Sequence, residues 1–574
     1  MLAVLLAAAV GAPSAWADVP VRTLLLSQQI RTGAAPRSSP YATALVARPG
    51  ESEGFQIALR APGRRLDIAP GSANDPLCAE HARFLEIGFV KITRPSGGTR
   101  ARRGLYEDPL PPYRSARGVR TARGSWSGFV VLVDVPSDAS SGTASCSVVV
   151  SSDGAPVATV AFTLRVAALA PIARESGNRF RMIFPFTKGY YTRIAHVRDK
   201  DDWAKQHIRQ GVNLISFVER HHASLLDWPF AAPSRSGHYG ELDSKGRGWY
   251  TAGGPFARAY HDLSVAVHDF PRKGYGFDPF EVGSDGQAGR WLSTVRSLHA
   301  RRGWLKNAYV YAMSEPTSGE VPKVARFAQR IHRYAPGVKV VMPVSPAAAG
   351  RRLYDGGSDD VDIWFFPHQQ WYGSHSDPRR FRKVTAAIRK RGHQVWTYSF
   401  YAGTSLPPNV LIDSPATDRH LLVLWNALEG SNGWLHWQLA RWISPFDETR
   451  PRDPYRKPLS YVDWTHSRKP ANGEASLIYP PVARQYGLRD PAAEPVTSLR
   501  FEQLGQAAQW ADTLIEYRNR FGAGALARLM RPVVDDRHLS SEYGMAWPAH
   551  RNGGLADRME KVRRAAVQQL EAAG

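Results

Sequence analysis

Seven short apolar runs constrain this chain more than any other feature, because none of them alternates with polar residues. They are "FRMIFPF" (180–186), "GVNLISFV" (211–218), "NAYVYAM" (307–313), "VKVVMPVS" (338–345), "VDIWFFPH" (361–368), "HQVWTYSFY" (393–401) and "GWLHWQL" (433–439). A strand with one face in water alternates; a continuous apolar strand is buried on both faces. Between the runs lie amphipathic stretches such as "SGEVPKVARFAQRIHRYA" and "PRRFRKVTAAIRKRG". Buried strands that alternate with helices are the sequence form of a parallel α/β sheet. The reading over 171–470 is a (β/α)8 TIM-like barrel, with an eighth strand inside 225–285.

The chain ahead of this region has a different period. From about residue 20 to 168, runs such as "FQIALRAP", "SGFVVLVDVP", "ASCSVVVSSDG" and "PVATVAFTLRVA" alternate in twos and are cut by Gly, Pro, Ser and Asp. That is the pattern of an antiparallel β-sandwich, placed over 18–170. The last part, 471–574, offers a short strand, "SLIYPP", and helices around 498–530 and 555–571. It reads as a C-terminal extension packed on the barrel. With 574 residues and 43% hydrophobic content, there is ample material for such a multidomain globular protein.

The first residues, "MLAVLLAAAVGAPSAWADVP", hold an apolar stretch too short to span a bilayer but suited to the h-region of a signal peptide. Ala15-Trp16-Ala17 fits the cleavage pattern, so 1–17 is read as a signal peptide although a basic n-region is missing. A secreted, periplasmic or envelope-associated protein is expected, without a transmembrane segment. In an oxidising compartment the two cysteines, Cys78 and Cys146, are expected to pair.

Lys and Arg number 74 against 51 Asp and Glu, a formal charge of +23. Such a surface attracts polyanions. No zinc-finger, helix-turn-helix or aromatic RNA-binding pattern accompanies the basic residues, so nucleic acid is not expected and an anionic glycan or envelope surface fits better. No Cys/His cluster has metal-ligand spacing, and "RHH" at 220–222 has no third ligand near it. Neither a metal nor a cofactor is expected.

Chemistry on a parallel barrel sits at the C-terminal ends of the strands. Those ends present Ser314 and Glu315 in "YVYAMSEP", then His368, Tyr398, Tyr401, His436, Trp437 and Gln438, with Trp371 just beyond the fifth run. Carboxylates and amides that hold hydroxyls, beside rings that stack on C–H faces, suit a carbohydrate. Glu315 is the candidate general acid/base, although capping of a helix near Pro316 would also explain it. Glycoside hydrolysis commonly needs a second carboxylate. The run "QVWTYSFYAG" supplies none; Glu429, Asp413, Asp447 and Glu219 are the candidates.

Several fragments together, in order, resemble one family. "EDPLPPY" (107–113), "GFVVLVDVPSDASSGTASCSVVV" (128–150), "YVYAMSEP", "VDIWFFPH", "QVWTYSFYAG", "NVLIDSPATDRHLLVLWNALEGSNGWLHWQLARW" and "SLIYPP" are similar to glycoside hydrolase family 123 and its relatives carrying domain of unknown function 4091. The resemblance implies a β-sandwich joined to a catalytic barrel. It also implies N-acetyl-β-galactosaminidase activity through an adjacent Asp-Glu pair, in which the substrate's acetamide attacks C1. Glu315 takes the place of the acid/base and Ser314 that of the Asp, a departure that removes a charge from the site. The readings that stay open are a glycoside hydrolase with another second carboxylate, the family's own acetamide chemistry, and a non-catalytic carbohydrate-binding envelope protein on the same fold.

Overall fold

The structure is a computed structural model. It describes residues 19–31, 35–60, 65–72, 74–97, 99, 101–120, 125–173, 176–184, 203–225, 268–269, 289, 293, 296–297, 300–301, 303, 305, 308–312, 315–317, 319–344, 360–368, 378–399, 408–462, 468–534 and 554–574. The signal peptide expected over 1–17, together with Ser314, Trp371 and Tyr401, lies outside these residues.

Period-two alternation produces what it should in the N-terminal part. One sheet orders Val21–Leu25, Ser52–Leu59, Ser127–Asp134 and Ala82–Glu86, all antiparallel. The other orders Ala44–Ala47, Ala155–Val166, Gly142–Ser152, Arg65–Pro70 and Val119–Arg120, with one parallel pair at its first edge. Phe55, Ile57, Phe129 and Val131 of the first meet Cys146, Val148, Phe162 and Leu164 of the second in one buried cluster. The expected disulfide is present: Cys78, on the short helix Pro76–His81, is bonded to Cys146, with Cα atoms 6.0 Å apart.

Six of the apolar runs, with two short strands from outside them, form a parallel sheet of eight strands among the described residues: β1 (Arg181–Phe184), β2 (Ala223–Leu225), β3 (His268–Asp269), β4 (Ala308–Tyr311), β5 (Lys339–Pro343), β6 (Ile363–Pro367), β7 (Gln394–Ser399) and β8 (Gly433–His436). Their order is β2-β1-β8-β7-β6-β5-β4-β3, the cyclic order of a barrel cut between β2 and β3. One face gathers Ile183, Tyr309, Val341, Ile363, Phe365, Trp396, Tyr398 and Leu435. The other face carries Phe184, Val310, Met342, Trp364, Phe366 and Trp434 against the helices. Gly433 is needed on the inner side of this pairing: a Cβ there would lie 2.3 Å from the Trp396 ring.

One run is placed differently from its reading. "GVNLISFV" is not a strand but the second half of helix α1 (Trp203–Arg220), and strand β2 follows it. Leu214, Ile215 and Val218 fall on one helical face and enter the core. The helices that follow among the described residues are α2 (Val321–Tyr334), α3 (Pro378–Lys390), α4 (Thr417–Leu428), α5 (Leu499–Phe521), α6 (Ala523–Met530) and α7 (Leu555–Ala572). "SLIYPP" forms isolated bridges, Ala440 to Ser476 and Tyr479 to Val496, rather than a strand.

Helix α5 packs on more than the barrel sheet. On one side Phe501 meets Phe184 and Phe217. On the other, Gln506 and Trp510 donate to Glu53 of the sandwich at 2.7 and 2.8 Å, and Gln503 donates to the Leu26 carbonyl. A helix buried on both sides has no long polar face to show, and nearly all of α5 is buried. Among the described residues no helix is long and apolar enough to cross a membrane.

Candidate active site

Glu315 stands just past the C-terminal end of β4. Its N–H donates to the Pro343 carbonyl on β5 at 3.1 Å, and its backbone takes φ +46°, a left-handed conformation that costs a non-glycine residue of order 1 kcal/mol. Tyr398, from the inner face of β7, donates its hydroxyl to Glu315 Oε1. The carboxylate is half-buried and Pro316 behind it is fully buried. The helix α2 that follows begins at Val321 with Glu320 at its N-cap position, so Glu315 is not the cap residue.

His368 and His436 occupy strand ends as expected, but they are only 3% and 0% exposed. His368 has Nδ1 3.3 Å from the Tyr398 carbonyl and Nε2 3.1 Å from the Pro408 carbonyl. His436 has Nε2 2.5 Å from the Glu474 carbonyl and Nδ1 3.2 Å from Ser399 Oγ, which accepts from Trp434 Nε1–H. Burial pushes both rings down to about 4, so they are neutral at pH 7. Both rings fasten strand ends to loops, His368 to the Pro408 carbonyl and His436 to the Glu474 carbonyl. Both stand at the strand ends where the sequence places them, and the direction of each side chain is set by packing.

Trp437, the first residue past β8, is half-buried. Its Nε1–H donates to Glu474 Oε1 at 3.3 Å, its ring meets Tyr461 edge-on at 5.1 Å, and the Arg441 guanidinium lies 5.9 Å from it. Gln438 beside it is buried. Glu474 was not among the sequence candidates. The Gly473-Glu474 step, one residue before "SLIYPP", is the local signal it carries.

The four candidate second carboxylates are dispersed. Glu429 ends α4 at the opposite end of β8 from His436 and is paired to the Arg382 guanidinium, with Arg382 Nε 2.9 Å away. Glu219, at the end of α1, precedes β2 and so also lies at the N-terminal side of the sheet. Asp413 is buried, accepting from Ser96 N and Oγ at 2.6 and 2.7 Å and from Asn472 Nδ2 at 3.2 Å. Asp447 caps its own turn through Thr449 and pairs with Arg450 at 2.9 Å. Glu429, Asp413 and Asp447 are thus each bonded to partners other than Glu315.

The mouth loops are held from below by one buried cation. Arg500 donates to both oxygens of Asp108 at 2.7 and 2.8 Å and to the carbonyls of Val410, Gly473 and Ser476 at 2.7 to 2.9 Å. His221 and His222, the "RHH" pair, face Glu502 at 2.8 Å and Asp512 at 3.1 Å on α5. Among the described residues no group of three potential metal ligands occurs.

A carboxylate and aromatic rings at the C-terminal mouth of a parallel sheet, behind a β-sandwich, describe the class of glycoside hydrolases. The comparisons agree: residues 287–515 match the model of the glycoside hydrolase 123 catalytic domain, so this part of the chain is similar to the catalytic domain of that family of glycoside hydrolases. A family 123 glycoside hydrolase from Clostridium perfringens, solved in a study of glycolipid glycan hydrolysis, is 13% identical with a TM-score of 0.67; the match covers 97% of this chain and 99% of that one. A family 39 glycoside hydrolase from the gut symbiont Bacteroides cellulosilyticus WH2 is 10% identical, covering 85% and 82%, with a TM-score of 0.32. No curated protein sequence matches the chain.

Proposed function

We propose that the protein is a secreted glycoside hydrolase whose general acid/base is Glu315, on a sheet that closes as a (β/α)8 barrel. The observation that carries the reading is the Tyr398 hydroxyl bonded to Glu315 Oε1 at the mouth of the sheet, with the Glu315 backbone held at φ +46°. Strain kept at one carboxylate, and a donor fixed on it, fit a group whose position matters for proton transfer. Glu315 gives its proton to the glycosidic oxygen as the C1–O bond breaks, then takes a proton from the water that attacks C1. Trp437 supplies a ring for the sugar's C–H face. The substrate is a glycan, and the cationic surface suits an anionic envelope polymer.

The test is a panel of aryl glycosides and envelope glycans, with N-acetyl-β-galactosaminide and neutral β-galactoside members, given to the protein and to Glu315→Gln. Turnover that the variant loses is the expected result. Equal binding with no turnover in either protein would overturn the reading in favour of a carbohydrate-binding protein. A requirement for the 2-acetamido group would add acetamide participation to the mechanism.

A further inference from the structure

The mouth has one carboxylate with an assigned task, and of the sequence candidates for a second Glu429 and Asp447 are paired to Arg382 and Arg450 and Asp413 is bonded to Ser96 and Asn472. Glu474 is different. It is 3% exposed, comes from the loop that runs beside the end of β8, and holds the Trp437 indole N–H on Oε1. The loop is fixed on several sides: the Glu474 carbonyl bonds His436, the Gly473 and Ser476 carbonyls bond Arg500, and the Ala475 carbonyl takes the Arg441 N–H at 2.7 Å. A side chain on such a loop is placed as firmly as one on a strand.

Strand register puts Trp437, which donates to this carboxylate, at the C-terminal end of the sheet, the end past which Glu315 stands. Tyr398 on β7 is paired with Leu435 on β8, and both belong to the inner face. His436 turns outward against Phe184. Trp437 follows at the C-terminal end of β8, beyond the Tyr398–Leu435 pair. At that end of the sheet Tyr398 holds Glu315 and Trp437 holds Glu474.

We infer that Glu474 is the second carboxylate of the site, the fixed negative charge that Ser314 does not supply. The inference rests on the reading of Glu315 as acid/base. When Glu315 delivers its proton, the C1–O bond breaks, its electron pair leaves on the departing alcohol, and positive charge builds on C1 and the ring oxygen. Glu474 stabilises that charge without changing protonation. Water then bonds to C1 and returns its proton to Glu315, so the step balances as hydrolysis.

Aryl glycosides with good and poor leaving groups, taken from the substrates the panel identifies, separate the two roles. Glu474→Gln keeps an acceptor for the Trp437 N–H and removes only the charge. Its kcat is expected to fall about 100- to 1,000-fold for good and poor leaving groups alike, with KM and melting temperature nearly unchanged. Glu474→Asp, which keeps the charge, should lose less. Glu315→Gln should fail chiefly on poor leaving groups, where proton delivery matters most. A Glu474→Gln kcat within threefold of wild type overturns the inference. So does a change confined to KM, the pattern of a residue that only holds Trp437. Full activity of Glu315→Gln on poor leaving groups would instead overturn the acid/base reading.

Discussion

The Tyr398 hydroxyl donates to Glu315 Oε1 across the mouth of the sheet, from β7 to the end of β4. The two residues are 83 positions apart in the chain. Their contact depends on a parallel sheet whose inner face carries Tyr398 on the same side as the end of β4. His368 reinforces it, because one of its ring nitrogens meets the Tyr398 carbonyl.

Tyr398→Phe should leave the ring packed and remove only this bond. Hydrogen bonds to charged groups are worth about 1.5–3 kcal/mol, so a kcat loss of about 10- to 100-fold is expected if the bond orients Glu315 for proton transfer. KM and the melting temperature should change little. An unchanged kcat would mean that the bond has no part in turnover.

Breaking the buried Arg500–Asp108 pair should destabilise the protein strongly. Both side chains are almost fully buried, 3% and 0% exposed, and Arg500 also gathers carbonyls from two loops. Arg500→Met leaves Asp108 with an uncompensated charge, at a cost of about 3–5 kcal/mol. Denaturant unfolding of the variant and the wild type measures it. A difference below about 1 kcal/mol would show that the pair does not brace the site.

The disulfide predicts a separate effect, confined to stability. Cys78 and Cys146 are 68 residues apart, and removing the bond frees a loop of that size in the unfolded chain. On the chain-entropy estimate Cys78→Ser with Cys146→Ser should cost about 4 kcal/mol. The site draws no residue from the helix Pro76–His81, so kcat at low temperature should survive. Loss of kcat without loss of stability would contradict this division of labour.

What could be read from the sequence follows the range of the interactions. Alternation in the sandwich and the apolar runs of β1 and β4 to β8 are local patterns, and they formed as read. "GVNLISFV" misled because eight residues contain one helical repeat and too little else; the polar residues of 203–210 complete the amphipathic pattern and decide for α1. Glu315 was visible because a charged residue closes a buried strand. Glu474 was not, because its position depends on Arg500, Arg441 and His436, none of them near it in sequence and each bonded to its loop's backbone.

Asp418 gives the pH prediction. It lies in the first turn of α4, fully buried, and burial pushes its carboxyl up to about 7 against the lowering influence of Arg419, Asn409 and Ser414. Below its ordinary value of 3.8 the carboxyl is protonated in both folded and unfolded chains and costs nothing. As pH rises from there to about 7, the unfolded chain releases the proton while the folded one keeps it. Unfolding is therefore favoured progressively, by about 1.36 kcal/mol per pH unit and about 4 kcal/mol over the whole window. Above it the folded carboxyl also ionises and the cost stays constant. Asp418→Asn does not titrate, so its stability relative to wild type should rise from pH 4 to pH 7 and then level off. Urea unfolding of both proteins at several pH values tests this directly, since the other titrating groups cancel in the difference. A difference independent of pH would show that Asp418 titrates alike in the folded and unfolded chains.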